Sequence, residues 1–542
     1  MVFARRSTTL LAAIVASCAM VLSLTACTSD NKTVVDGQTT VTSNSAGGVA
    51  VFTPSDGITL NQQTPLNKWA KLVPDLTKAL VDAGFKKGDI DHTTSDSLDK
   101  QSRAIQDFVV DHLSNNTTDD SGIAIAPDNM TLLVAPVVEA DASTRQYGDY
   151  VSQNLSTNDA TDEGATSDGE SSEDDSSKDD SSNTESDSTA SDEQAQAVDR
   201  LVSSLKLAKE SGMHVVLLGN SIEGYRPDAF VKFSDAQTIG KLQAEKMVSK
   251  LKLDKASKDN PKYIEVLLPY TAVDEKGNAN DSTFAQEAFR GIWQVLGSYY
   301  QKGVVESPSG TLDGKSTEND WQAVAYDAAK EGSTAKVLDK RLAKTDGQST
   351  LTRIDGIITM NDYIASEVVK ELDDLGYTGS AADINPQITI SGIVGNITGK
   401  KDLSRDAVPD PIKSPENDNA NDSSSSDDDA DKDTSSDKDR DSQWPLVTGY
   451  GAYVSNIPSI VNGKQWMTGM EDRQTIATDI AQACAKLNKD EALNSMPSIR
   501  NSEVGGVKKI PTISEPLLAV SASNLKSALI DPGYISLADA GL

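Results

Sequence analysis

Histidine and cysteine are scarce in this chain, which has three of each among 542 residues. His92, His112 and His214 are scattered, and His214 begins a buried-looking strand, so the pattern favours neither a zinc site nor a histidine-based catalytic triad. Two S-x-x-K matches, at 203–206 and 333–336, lack the partner motifs of a serine acyl-enzyme and are interpreted as chance. No cofactor motif is found either. We therefore expect a protein that is not an enzyme and that has no cofactor and no metal site.

Basic residues are outnumbered by acidic ones, 50 to 82, which gives a formal net charge of -32. This balance argues against nucleic acid and anionic lipid surfaces as partners. The acidic residues concentrate in 156–194 and 414–443, which have almost no apolar side chains. Such segments cannot bury enough surface to offset the entropy of ordering, so both are predicted to be disordered insertions. Calcium binding is the alternative, but neither run has the ligand alternation and glycine of a calcium loop.

The one conspicuous apolar run lies at the N-terminus and is too short to be a stable membrane span. Arg5 and Arg6 precede a mostly apolar segment at 10–24, the order found in secretion signals. The ending LTAC resembles a bacterial lipobox, in which the cysteine is lipidated and becomes the new N-terminus. We therefore expect 1–26 to be a lipoprotein signal peptide and Cys27 to carry the lipid. An ordinary cleaved signal peptide is the alternative.

A lipid on Cys27 would anchor the protein to the outer face of the cytoplasmic membrane, with 27–48 as a polar tether. Cys18 leaves with the signal, and Cys484 lies in the helical pattern TIATDIAQACAKL. No internal disulfide is then possible, and Cys484 is expected to be a buried small hydrophobic residue.

The rest of the chain alternates short apolar strands with amphipathic helices. This rhythm predicts an α/β fold with mainly parallel sheets covered by helices on both faces. In such sheets, ligands bind beyond the carboxyl ends of the strands. The predicted strands are VAVFTPS (49–55), MTLLVAPVV (130–138), MHVVLLGN (213–220), KYIEVLLPY (262–270), DGIITMND (355–362) and PLVTGYGA (445–452).

Three segments, FSDAQTIGKLQA, NGKQWMT and IPTISEPLLAV, carry a resemblance to the sugar-binding lipoproteins of bacterial ABC importers, most of all the xylose and multiple-monosaccharide group. The resemblance implies a two-lobed type I periplasmic-binding fold with three hinge crossovers. It places the first lobe at 49–222 with 472–512, and the second at 223–471 with 513–542. Region 380–413 has no clear counterpart in the family.

By this resemblance, four residues stand at family binding positions. Lys68 stands where the family often has arginine, Trp69 keeps an aromatic wall, and Asn361 with Asp362 keeps an Asn-Asp pair at a strand end. Each position has an alternative reading. Trp69 could cover the core, and the Asn-Asp pair could cap the helix that begins nearby.

Other positions depart from the family pattern. Gly219 and Asn220 stand in place of Asp-Arg, Phe284 in place of asparagine, Gly451 in place of a ligand-binding aspartate, and Glu471 in place of lysine. Loss of these charged partners predicts strong discrimination against the old ligand. We therefore expect an inherited scaffold with an altered pocket.

The acidic group after the APV strand is Glu139, Asp141 or neither. The resemblance implies a solute-binding lipoprotein that captures a carbohydrate or related polar solute between closing lobes and delivers it to an ABC permease. The alternative is a sensing or adhesion lipoprotein on the same fold with a degenerate pocket. The predicted ligand-binding residues are Lys68, Trp69, Asp141, Asn220, Phe284, Asn361, Asp362, Tyr450 and Glu471.

Overall fold

The computed structural model describes ten stretches of the chain. They are residues 32–35, 38–41, 46–55, 65–115, 125–138, 144–157, 185–273, 281–343, 351–381 and 442–542.

Nineteen strands and ten α-helices are described. The strands are β1 (Lys32–Val35), β2 (Gln38–Val41), β3 (Gly48–Pro54), β4 (Ile90–Ser95), β5 (Met130–Val134), β6 (Asn154–Leu155), β7 (His214–Leu218), β8 (Ser221–Ile222), β9 (Ala229–Lys232), β10 (Lys262–Val266), β11 (Leu268–Pro269), β12 (Val305–Glu306), β13 (Ala325–Tyr326), β14 (Gly356–Ile358), β15 (Leu446–Thr448), β16 (Met467–Met470), β17 (Ile499–Val504), β18 (Val507–Ser514) and β19 (Leu518–Ser521). The helices are α1 (Trp69–Asp82), α2 (Leu98–Asn115), α3 (Glu185–Glu210), α4 (Ala236–Leu251), α5 (Thr283–Gln301), α6 (Trp321–Val324), α7 (Ser333–Arg341), α8 (Asp362–Leu375), α9 (Ile457–Val461) and α10 (Arg473–Leu487).

A seven-stranded sheet forms the first half of the fold, in the order β17-β18-β9-β7-β5-β3-β4. Its neighbouring strands are parallel except for the edge pair β17–β18. Alternate residues of β3 face opposite sides: Val49 and Val51 pack in one apolar cluster with α1 and α10, and Ala50 and Phe52 in another with α2 and α3. Helices therefore cover both faces, which explains why the strands are apolar throughout.

A four-stranded parallel sheet, β12-β10-β14-β15, forms the second half. Ile358 packs in a cluster with α4 and α5, whereas Ile357 packs in a cluster with α7 and α8. The predicted α/β fold with mainly parallel sheets flanked by helices is thus confirmed. Three two-stranded ladders, β6–β8, β11–β13 and β16–β19, complete the described pairing of this part of the chain.

The chain passes three times between the halves, after β9, after β16 and after β18. The boundary predicted between 222 and 223 is about ten residues too early, because β9 pairs with β7 and β18 in the first sheet. The other two crossings follow Met470 and Ser514, and the division of the chain into two closing lobes stays a prediction.

The prediction of disorder in the first acidic insertion needs correction. Residues 185–194 of the first acidic insertion belong to α3, whose later turns bury Val198, Leu201 and Leu205. A helix whose later turns are packed extends at low cost, because propagation adds one hydrogen bond for each further residue that is fixed. In the predicted tether, β1 and β2 pair antiparallel, with Val35 opposite Gln38. The sequence between them, Asp-Gly, is a hairpin signal.

The remaining calls on chain organisation lie outside the described residues: the signal peptide, Cys27, residues 158–184 and 414–441, and most of region 380–413. Within the described part of the chain, no helix has the length and apolar character needed to cross a membrane. Cys484 is fully buried on α10, as expected, and burial raises its pKa.

Candidate functional site

Most of the predicted ligand-binding residues lie just beyond the carboxyl ends of strands. Asn220 follows β7, Asn361 follows β14, Tyr450 follows β15 and Glu471 follows β16. All four side chains are buried, with at most 3% of their surface exposed. These four residues therefore lie beyond the carboxyl ends of the strands, but their side chains are not open to solvent.

What covers them is a segment of the same chain. Residues 144–153 follow β5 and its loop and run between the strand ends of the two halves, a region that we call the cleft. We call these residues the cleft segment. The segment contains Gln146, Tyr147, Asp149 and Tyr150, and both tyrosines are only 1% exposed. Five of the predicted residues make side-chain or ring contacts to it, and a sixth, Trp69, makes both a backbone and a ring contact.

The segment contacts the first half through Asp149 and Tyr150. Asp149 accepts hydrogen bonds from Lys68 Nζ and from the backbone nitrogen of Trp69, both at 3.0 Å. The Tyr150 hydroxyl donates to the carbonyl oxygen of Lys68. The Trp69 ring meets the Tyr150 ring edge-on at 5.0 Å and the Phe233 ring at 5.6 Å. Trp69 is thus part of a buried aromatic cluster, the alternative role considered for it.

Gly148 packs closely against the first half. Its φ is +98°, a left-handed conformation that favours glycine. A Cβ at this position would lie 2.5 Å from the carbonyl oxygen of Asn67. The adjacent amide of Asp149 donates to that same oxygen at 2.8 Å. Glycine is therefore needed for this approach.

The segment contacts the second half through Gln146 and Tyr147. Asn361 Nδ2 donates to Gln146 Oε1 at 3.0 Å, and the Tyr453 hydroxyl donates to the Gln146 carbonyl oxygen at 2.8 Å. The Tyr147 ring lies 4.7 Å from the Phe284 ring and 6.3 Å from the Tyr450 ring. These are normal separations for packed aromatic rings.

Asn220 secures the end of the segment. Its Oδ1 accepts from the backbone nitrogen of Gln153 at 3.0 Å, and its Nδ2 donates to the carbonyl oxygen of Pro136 at 2.9 Å. Both ends of the amide are therefore used to join the segment to the end of the β5 strand.

Glu471 lies at the second crossing between the halves, after β16, and its carboxylate accepts a hydrogen bond from Ser234 at the first crossing, after β9. Its Oε1 accepts from the backbone nitrogen of Ser234 at 2.6 Å and from the Tyr450 hydroxyl at 3.4 Å. The Tyr450 and Ser234 hydroxyls also bond to each other. Burial raises the pKa of Glu471 to about 7, although the hydrogen bonds from Ser234 and Tyr450 oppose the shift.

Asp362 does not reach the cleft segment. Its Oδ1 accepts from Gln465 Nε2 at 2.7 Å, and its Oδ2 accepts from the Tyr453 backbone nitrogen and the Thr468 hydroxyl, both at 2.9 Å. Burial raises its pKa to about 6. Asn361 caps α8, because its Oδ1 accepts from the Ile364 backbone nitrogen at 2.9 Å. In this structure the Asn-Asp pair therefore has the capping and structural role.

Gly451 also has a structural role. Its φ is +113°, and a Cβ there would lie 3.0 Å from the Tyr453 ring. An aspartate at 451 would be strained in this backbone and would crowd the Tyr453 ring, so glycine fits the packing at this position.

Two polar atoms at the cleft remain unused. Asn67 Nδ2 and Ser152 Oγ are buried and have no hydrogen-bond partner among the described residues. Asn67 is 1% exposed and lies beside both Gly148 and Glu471. Buried donors of this kind are rare in folded proteins, and they offer polar contacts to a ligand.

Several site residues were missed from sequence, above all Gln146, Tyr147, Asp149 and Tyr150. The available signal was the short sequence QYGDY. It holds two of the chain's 13 tyrosines within four residues, in a chain that has few aromatic residues. Asp141, the predicted acidic residue of this loop, lies outside the described part of the chain.

No protein-family model matches the chain, and no curated protein matches it either. Among solved structures, it is similar to an ABC transporter solute-binding protein from Clostridium phytofermentans with bound β-D-glucose (17% identity, 91% of this chain and 99% of that chain covered, TM-score 0.44). It is also similar to a carbohydrate transporter solute-binding protein from Chloroflexus aurantiacus in complex with D-glucose (18%, 92% and 98%, TM-score 0.43). A third is a periplasmic ribose ABC transporter protein from Conexibacter woesei (14%, 90% and 96%, TM-score 0.41). At such identities and TM-scores, the likeness does not assign a ligand to this chain.

Proposed function

We propose that this protein is an extracytoplasmic solute-binding lipoprotein, not an enzyme, that captures a carbohydrate or related small polar solute and delivers it to an ABC permease. The observation that carries the proposal is the meeting of strand ends from two parallel α/β halves at one cleft. Three chain crossings between the halves would act as hinges, so that polar groups from both sides could close on a solute.

Two features of the cleft support a small polar ligand. The cleft combines aromatic rings with buried amides and hydroxyls, which is the usual composition of a sugar site. Asn67 Nδ2 and Ser152 Oγ are buried donors without a partner among the described residues, and a solute hydroxyl could accept from either. The lipid on Cys27 and the membrane location are proposed from the N-terminal sequence alone.

The test is a thermal-shift screen of the full chain against pentoses, hexoses, disaccharides, polyols and nucleosides. A solute at a hundred times its dissociation constant should stabilise the protein by about 2.7 kcal/mol. A hit should bind Ser152→Ala about tenfold more weakly, because the variant lacks one hydrogen-bond donor. Ser498→Ala is the matched control, since Ser498 Oγ is also buried without a partner among the described residues but lies next to β17.

A second candidate is favoured by the cleft segment. Because the predicted binding residues already contact the chain itself, the protein could be a sensing or adhesion lipoprotein that no longer closes on a small molecule. If no solute on the panel shifts the melting temperature of a well-folded sample, the result favours this second function over solute transport. A hit that Ser152→Ala and Ser498→Ala bind equally well would place the solute elsewhere.

A further inference from the structure

We propose that the cleft segment, residues 144–153, is an internal occupant of the cleft: it holds the two halves together without a solute, and any solute must displace Gln146 and Tyr147, while Ser152 and Gln153 stay bonded to the first half. The proposal does not depend on which function above is correct, because it concerns the conformation of the protein with nothing bound.

The first argument is that the segment bonds to both halves at once. Within five residues it receives hydrogen bonds from Asn361 and Tyr453 of the second half and from Lys68 of the first. Its side chains are divided between the halves: Gln146 and Tyr147 contact the second half, whereas Asp149 and Tyr150 contact the first. A loop that merely covered one half would not make this division of contacts.

The second argument is burial. Tyr147 comes from the loop that follows a strand of the first half, yet it belongs to the apolar cluster of the second half, with Tyr450 and Phe289. Tyr150 belongs to the apolar cluster of the first half, with Trp69 and Phe233. Separating the halves would expose at least one of these large rings to water, so their burial favours the closed arrangement.

The third argument is position. The segment contacts residues that follow β7, β14 and β15, which is the place where ligands of parallel sheets bind. Charge is also balanced there, because Asp149 pairs with Lys68 at 3.0 Å and both side chains are mostly buried. A solute could not reach this position while Tyr147 and Gln146 remain in place.

The experiment is hydrogen exchange on the full chain in detergent, with no solute added. In the wild type, the amides of Asp149, Ser152 and Gln153 are expected to be protected, because they donate to Asn67, Ser234 and Asn220. Tyr147→Ala should speed exchange of peptides covering 146–153 by about tenfold or more. Peptides covering 450–453, on the other side of the cleft, should also exchange faster.

The matched control is Tyr299→Ala. Tyr299 is a half-buried tyrosine of the second half that donates to Asp254, lies at the far end of α5 and does not contact the segment. This variant should leave exchange at 146–153 unchanged. If Tyr147→Ala does not fold, Gln146→Ala removes only the link to Asn361 and should give a smaller increase in the same peptides.

Two results would overturn the proposal. One is that 146–153 exchanges in the wild type as fast as an unstructured peptide, which would mean that the segment does not occupy the cleft. The other is that neither Tyr147→Ala nor Gln146→Ala changes exchange on either side. If the solute screen also yields a hit, Tyr147→Ala should bind it more tightly than the wild type, since an occupied cleft lowers the binding-competent fraction. The exchange result stands even if no solute is found, so the two proposals fail separately.

Discussion

Asn361 Nδ2 donates a hydrogen bond to Gln146 Oε1 at 3.0 Å, and this bond joins a strand end of the second half to a loop of the first. The same asparagine caps α8 through its Oδ1. One side chain thus begins a helix and holds the cleft segment, which explains why its position beyond β14 matters for both the fold and the cleft.

The two roles of Asn361 can be separated with Asn361→Ser, because serine also caps helices but has no amide donor. We expect this variant to lower the free energy of unfolding, and to do so by about 1 kcal/mol less when Gln146 is already alanine. The measurement is a double-mutant cycle by urea denaturation. Equal costs in both backgrounds would show that the Asn361–Gln146 hydrogen bond contributes nothing.

Glu471 should make stability depend on pH. Its pKa is raised from 4.5 to about 7 in the folded protein, so the folded state binds the proton more tightly than the unfolded state does. The resulting stabilisation is fully present below about pH 4.5 and is lost as pH rises through about 7. Between pH 4.5 and pH 8, the free energy of unfolding of Glu471→Gln should therefore rise relative to that of the wild type by on the order of 2 kcal/mol.

Urea denaturation of both proteins across this range gives the difference. Asp362, whose pKa is raised to about 6, shifts stability in the same direction but is present in both proteins and cancels. Parallel curves for the wild type and Glu471→Gln would contradict the assignment of a raised pKa to Glu471.

Gly148→Ala should destabilise the protein by forcing the cleft segment away from Asn67. Gly376→Ala is the matched control, because Gly376 has a similar φ of +93° but nothing within 4 Å of an added Cβ. Both variants carry the cost of a left-handed alanine, about 1 kcal/mol, and only Gly148→Ala adds the clash. We expect Gly148→Ala to cost at least about 1 kcal/mol more in urea denaturation. An equal loss in the two variants would mean that the segment does not approach Asn67.

Cys27→Ser should abolish lipid attachment if the N-terminal interpretation is right. Cells fed an alkyne fatty acid should label the wild type and the Cys18→Ser variant but not Cys27→Ser, and detergent phase partition should follow the label. Labelling of Cys27→Ser, or its absence from the wild type, would favour an ordinary cleaved signal peptide.

The sequence was sufficient for the parts of the fold that depend on local pattern. The apolar runs at β3, β5, β7 and β14 predict buried parallel strands because they are short, rich in β-branched residues and bounded by turns. The site position beyond the strand ends also follows, since it depends on strand direction and not on which side chains meet. Asn361 was recognised as a candidate cap for the same local reason.

The roles of the site residues depended on contacts between distant parts of the chain. From the sequence, Trp69 is equally compatible with a wall of the ligand site and with a core residue. Its ring contacts with Tyr150 and Phe233 in the structure show that it is a core residue. The sequence by itself therefore determined the α/β pattern, its strands and the end of the sheets where polar groups gather. Only the tertiary structure decided that the cleft segment fills that place, because hydrogen bonds such as Asn361 to Gln146 join residues 215 positions apart. Periodicity and propensity describe neighbours along the chain and carry no information about such pairs.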